Sequence, residues 1–126
     1  MGVMLAKRVH HVSFAVRDLE KSREFYEGIL GLEKIARPDI GLPGVWYGAG
    51  EGQIHLIQTP SGMSVGAPPE RLTPLANHCA FEIEDYEKSV SELKRRGVPV
   101  LETRTEMGQL WIQDPDGNVI ELIRPR

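Results

Sequence analysis

The residues of this chain best suited to chemistry come as two matched pairs. His11 recurs 67 positions later as His78, and His55 is answered 66 positions later by Glu121. Three imidazoles and one carboxylate form a donor set suited to a divalent first-row ion such as Ni, Zn, Fe, Mn or Co. An ion also gives a reason for gathering them, because buried polar groups without partners are costly. A single strand histidine is usually a hydrogen-bonded core or surface residue, but two repeat-equivalent pairs are not explained that way. His10 has the opposite strand phase to His11 and reads as a surface or supporting residue. Cys79 reads as a small core residue. Trp46 and Trp111 are repeat-equivalent and fit either the core or an apolar wall for substrate. Arg37 and Arg104 are able to hold an anionic group, although exposed arginine is the ordinary reading.

The positioning elements follow from an internal repeat. HHVSFAVRDLEKSREFYEGILGLEK from His10 resembles NHCAFEIEDYEKSVSELKRRGVPV from Asn77, and GQIHLIQTP from Gly52 resembles GNVIELIRPR from Gly117. Val12, Phe14 and Val16 alternate with His11, Ser13 and Ala15, as in a half-buried strand. Asp18 then caps a helix predicted over 19–30, with Leu19, Phe25, Tyr26 and Leu30 as its apolar positions and Gly31 as its stop. The second copy has Cys79, Phe81 and Ile83, a cap at Asp85, a helix near 86–96 and a stop at Gly97. Strands are expected around 33–37, 45–48 and 53–58, then 99–104, 109–113 and 118–123. DPDGN at 114–118 makes the last turn. The fold class is therefore α+β: two βαβββ modules, about 7–59 and 75–126, within a single domain 1–126. The Pro- and Gly-rich stretch 60–74 links them.

Strand alternation also sets the faces. With Val12, Phe14, Ile54 and Leu56 under the first helix, His11 and His55 point the other way. With Cys79, Phe81, Ile120 and Leu122 under the second, so do His78 and Glu121. If the two four-stranded sheets curl toward each other, these faces line one cavity.

Composition excludes several classes. The 126 residues are 40% hydrophobic and 26% charged, ordinary for a globular protein. No apolar run is long enough to span a bilayer, and neither a secretory signal nor a myristoylation pattern is present at the start. The net charge of −3 argues against nucleic-acid binding. Lys94, Arg95 and Arg96 form the one basic run and suit the C-terminal end of a helix dipole. One cysteine excludes an intrachain disulfide and fits a reducing cytoplasm.

Over essentially its whole length the chain resembles the vicinal oxygen chelate superfamily, which includes glyoxalase I, bleomycin-resistance proteins and extradiol dioxygenases. HHVSFAVRDLEKSREFYEGILGLE, QIHLI, NHCAFEI and DPDGNVIELI carry the resemblance. It implies that the modules pair into an open, cup-like mixed-sheet barrel with helices outside. It also implies one divalent metal ion on His11, His55, His78 and Glu121, the same set that strand phase selects. Histidine at 55 departs from the Glu or Gln usual in glyoxalase I and methylmalonyl-CoA epimerase, which bears on substrate. The implied chemistry is a glyoxalase-like lyase or isomerase acting on a small molecule through two adjacent oxygens, with Glu121 as the proton-moving catalytic carboxylate. An Fe(II) extradiol dioxygenase using His11, His78 and Glu121 is the alternative, and a non-catalytic drug-binding protein the third. Exposed sheet edges and the habits of relatives point to a homodimer, with ligands from one chain or from two.

Overall fold

The computed structural model describes residues 2–103 and 105–125; Arg104 lies outside them. The chain divides into two compact units, Met1–Met63 and Ser64–Arg126, and the division falls inside the linker expected at 60–74. Each unit holds one copy of the repeat.

In module one, β1 (His11–Val16) leads into α1 (Leu19–Arg23), followed by β2 (Glu33–Ile35), β3 (Gly44–Ala49) and β4 (Gly52–Gln58). The strands form an open sheet in the order β1-β4-β3-β2, with β1 parallel to β4 and the other pairs antiparallel. Module two repeats this with β5 (His78–Glu82), α2 (Tyr86–Arg95), β6 (Leu101–Glu102), β7 (Gln109–Gln113) and β8 (Val119–Ile123), in the order β5-β8-β7-β6. The parallel β1–β4 and β5–β8 pairs put the first and last strands of each module side by side. That adjacency sets Ser13 opposite His55, 42 positions along the chain, and Ala80 opposite Glu121, 41 positions along.

Both caps are present: Asp18 accepts from the Lys21 N–H at 3.3 Å and Asp85 from the Lys88 N–H at 3.0 Å. Gly97 (φ 74) follows α2 and Gly31 (φ 75) closes the first helical segment, a left-handed conformation that favours glycine. The basic run closes α2 and is also locally paired: Glu92 accepts from both Arg95 and Arg96, which holds its carboxyl down at about 2.

The first helix departs from the predicted single α-helix over 19–30. After Arg23 it continues as a π-helix over Glu24–Ile29, with the Leu30 N–H bonded to the Phe25 carbonyl five residues back. Phe25 and Tyr26, sequence neighbours that an α-helix would splay about 100° apart, are both buried. Tyr26 stacks between Phe14 on β1 and Tyr47 on β3. β2 and β6 are shorter than the predicted 33–37 and 99–104. Each pairs on one side only, and their registered contacts end at Ile35 and Glu102.

The core of each module lies between helix and sheet. Val16, Val45, Tyr47, Ile54 and Leu56 are buried in module one, and Leu110, Ile112, Ile120 and Leu122 in module two. Each such side chain contributes roughly 1.5–3 kcal/mol by leaving water. Cys79 is half-buried on this face, where burial raises its thiol pKa. The alternation that buries these residues sends the intervening ones to the opposite face of the same strand. Among the described residues no helix is long and apolar enough to cross a membrane.

Candidate metal centre

In module one the opposite face carries a stack of rings across three adjacent strands. His55 on β4 lies parallel to His11 on β1, with centroids 4.0 Å apart, and to Trp46 on β3 at 4.2 Å. Trp46 is directly registered with His55, which removes the alternative of a tryptophan in the helix-side core. His55 is buried, and burial lowers its pKa, reinforced by the charges of His11, His10 and Arg37. It therefore stays neutral, with a nitrogen lone pair, to lower pH than an exposed histidine. Its Nε2 lies 2.8 Å from Gln53 Oε1, two residues back on the same face. His10 bonds His11 through the two Nδ1 atoms at 2.9 Å. One of those rings donates. If His11 is the donor, its Nε2 carries the free lone pair, consistent with a supporting role for His10.

In module two the equivalent strand centre is Glu121, buried and smaller than a ring, so its neighbours meet over it. His78 on β5 and Trp111 on β7 touch edge to face at 4.7 Å. Trp111 is registered with Glu121 and donates from Nε1 to the Thr103 hydroxyl at 2.9 Å. Gln109 donates to Glu121 Oε2 at 3.0 Å. The remaining oxygen, Oε1, stands 3.2 Å from His78 Nε2.

The hydrogen bonding of His78 fixes what can lie between those two atoms. Its Nδ1 is 2.8 Å from the Ala76 carbonyl, which can only accept, so Nδ1 carries the proton. A neutral His78 then turns a bare lone pair toward a carboxylate oxygen, and two acceptors at that distance need a cation or an added proton between them. Two donors bound to one ion at right angles, with bonds of about 2.1 Å, stand about 3.0 Å apart. A histidine whose far nitrogen donates to a carbonyl is also the usual state of a metal ligand. The pair fits a divalent ion in chemistry and spacing.

The structure thus brings His11 to His55 and His78 to Glu121. Among the described residues the grouping stops at pairs: no three His, Cys, Asp or Glu side chains form a group able to hold an ion. Gln53 and Gln109, which engage His55 and Glu121, were not singled out from sequence. Gln53 shares the phase of His55 and was legible in principle. Gln109 reaches its partner from a neighbouring strand, which only register reveals. Arg37 is half-buried rather than exposed, its Nη2 donating to the Leu42 carbonyl at 2.8 Å.

Residues 8–122 match the model of the Glyoxalase/Bleomycin resistance protein/Dioxygenase superfamily, and the chain belongs to that superfamily. It is 32% identical to Glyoxylase I 4 of Arabidopsis thaliana over 127 residues, covering 90% of this chain and 68% of the relative. It is 27% identical to the mitochondrial methylmalonyl-CoA epimerase of Bos taurus over 106 residues, covering 80% of this chain but 61% of that protein, less than two thirds of its length. In fold it is similar to a crystal structure ascribed to the glyoxalase family from Bacillus anthracis, with a TM-score of 0.79, 24% identity, and 99% and 100% of the two chains covered.

Proposed function

We propose that this chain is a metal-dependent lyase or isomerase of the glyoxalase kind, in which His11, His55, His78 and Glu121 supply the ligands of one divalent ion. The observation that carries the reading is the His78–Glu121 pair: a lone pair fixed by the Ala76 carbonyl faces a carboxylate oxygen at 3.2 Å. A bound ion supplies Lewis acidity toward two neighbouring oxygens of a small-molecule substrate. The chain's own groups do the rest. Glu121, the only carboxylate of the set, takes a proton from the substrate carbon beside those oxygens and returns it. Gln109 holds Oε2 and so orients the carboxylate, while the faces of Trp46 and Trp111 exclude water. Elemental analysis of protein purified without added metal, beside proton-exchange assays with α-hydroxy-carbonyl thiol adducts, tests this. One ion per chain, and exchange abolished in Glu121→Gln, are the expected results; a metal content unchanged in both His78→Ala and Glu121→Gln would count decisively against it.

One observation favours a second reading. His55 Nε2 is already engaged by Gln53, and a site of His11, His78 and Glu121 alone is the two-histidine, one-carboxylate set of Fe(II) oxygenases. Oxygen uptake with catechols by the Fe(II)-loaded protein, unchanged in His55→Ala, selects that reading. Either chemistry is compatible with a cytoplasmic location and with a homodimer, the second of which light scattering across micromolar concentrations checks.

A further inference from the structure

In module one Arg37 is a half-buried cation that no carboxylate among the described residues pairs with. Arg37 lies just beyond β2, and its guanidinium rests on the start of β3: a Cβ added at Gly44 would stand 2.8 Å from Nη2 and 2.9 Å from Cζ. Gly44 shares the strand phase of Trp46, which is registered with His55. The guanidinium donates from Nη2 to the Leu42 carbonyl at 2.8 Å, and its Nε is buried with no hydrogen-bond partner. Among the described residues no carboxylate pairs with it. It lines a cleft of about 720 Å³ whose wall also includes Leu19, Asp39, Leu42, Pro43 and Gly44. The carboxylate in that wall, Asp39, is turned to its own loop and accepts the Gly41 N–H at 3.1 Å.

We propose that Arg37 is an anion-binding subsite that takes one carboxylate or phosphonate group of the substrate in this cleft. The inference deepens the function proposed above and rests on its premise that substrate lies on the face of His11 and His55. The chemistry is that of a planar fork of N–H donors, which matches two oxygens of an anion at once in a way that a lysine does not. A Cβ at Gly44 would meet the Leu56 backbone oxygen first and the guanidinium next, so glycine there serves the strand pairing as well as the seating of Arg37. At the equivalent place in module two stands Gln109, whose amide serves Glu121 instead. The substrate class is therefore a small molecule with an anionic group at one end.

The test uses the full-length protein stripped of metal, so that it does not depend on the metal ligands. Methylphosphonate and propionate are titrated separately, with sodium chloride at matched ionic strength as control, and the arginine Nε–H and backbone amide NMR signals are followed. The expected result is a saturable shift of the Arg37 Nε–H and of the Leu42 and Gly44 amides with at least one oxyanion. Affinity should fall about tenfold or more in Arg37→Lys, with zinc binding by that variant within twofold of wild type. Shifts no larger than those with chloride, or saturable binding kept in Arg37→Lys, overturn the subsite while leaving the metal reading standing. Saturable anion binding in a protein that takes up no metal upholds the subsite and removes the metal reading.

Discussion

Module one centres on an imidazole and module two on a carboxylate, and each site is arranged around that difference. His55 is a flat ring between two others, His11 and Trp46. Glu121 is a compact anion over which His78 and Trp111 close edge to face. The supporting glutamines differ in the same way. Gln109 bonds the far oxygen of Glu121 and leaves the near one for His78, whereas Gln53 sits on the His55 nitrogen itself. One topology therefore carries an aligned, anionic half-site and a neutral, partly obstructed one. The two copies of the repeat share their strand positions, and the difference in chemistry lies in the residue at one of them, His55 against Glu121.

The largest expected effect follows from charge. Glu121→Gln should weaken zinc or nickel binding by at least about a hundredfold, and His55→Ala by about tenfold, since losing the only anion of the set costs more than losing one neutral donor. Chelator competition measures both, and equal losses would mean that the modules contribute alike.

The glutamines sharpen the contrast, because their removal should act in opposite directions. Gln109→Ala should lower affinity by about tenfold through a less ordered carboxylate. Gln53→Ala should raise it severalfold by freeing His55 Nε2. A fall with Gln53→Ala would instead identify Nδ1 as the coordinating atom, with Gln53 supporting the ring through Nε2–H.

Away from the faces that carry His55 and Glu121 the modules differ in their acid response. In module one, Glu27 accepts from Arg23 Nε at 2.8 Å and from the Tyr47 hydroxyl at 2.7 Å. The hydrogen bond from Arg23, then that from Tyr47, holds its pKa below the ordinary 4.5 despite burial. A carboxylate lowered in the folded state stabilises above its unfolded pKa, and that contribution is lost as pH falls through the folded one. Acid titration from pH 5 downward should therefore show a stability loss that Glu27→Gln reduces. Tyr47→Phe should cost about 1 kcal/mol at neutral pH. Module two pairs Tyr86 with Glu102 instead, and burial followed by that bond pushes the Tyr86 hydroxyl up to about 12. A wild-type acid profile identical to that of Glu27→Gln would remove the distinction.

The smallest effect concerns the caps. Asp85→Ala should cost about 1 kcal/mol and Asp18→Ala about half that, read as shifts of a few degrees in Tm. Asp85 starts a continuous ten-residue α-helix, whereas Asp18 starts five α-helical residues that give way to the π-helix. Equal shifts would show that the two helices depend on their caps alike.

Strand phase, caps and repeat spacing by themselves determined the two βαβββ modules, the helix-side core and the face on which His11, His55, His78 and Glu121 lie. These are local properties: a period of two assigns each strand residue to a face, and a side-chain oxygen before an apolar run starts a helix. The π-helix was not legible, because it arises where Tyr26 must fit between Phe14 and Tyr47, residues brought together only by the folded sheet. Nor could sequence decide between core and site face for Trp46 and Trp111, since that requires the register against His55 and Glu121. The bond from Gln109 to Glu121, the proton on His78 set by the Ala76 carbonyl and the seating of Arg37 against Gly44 depend on distances of a few tenths of an ångström. Strand pairing sets such distances, and a periodic pattern of residue types does not contain them.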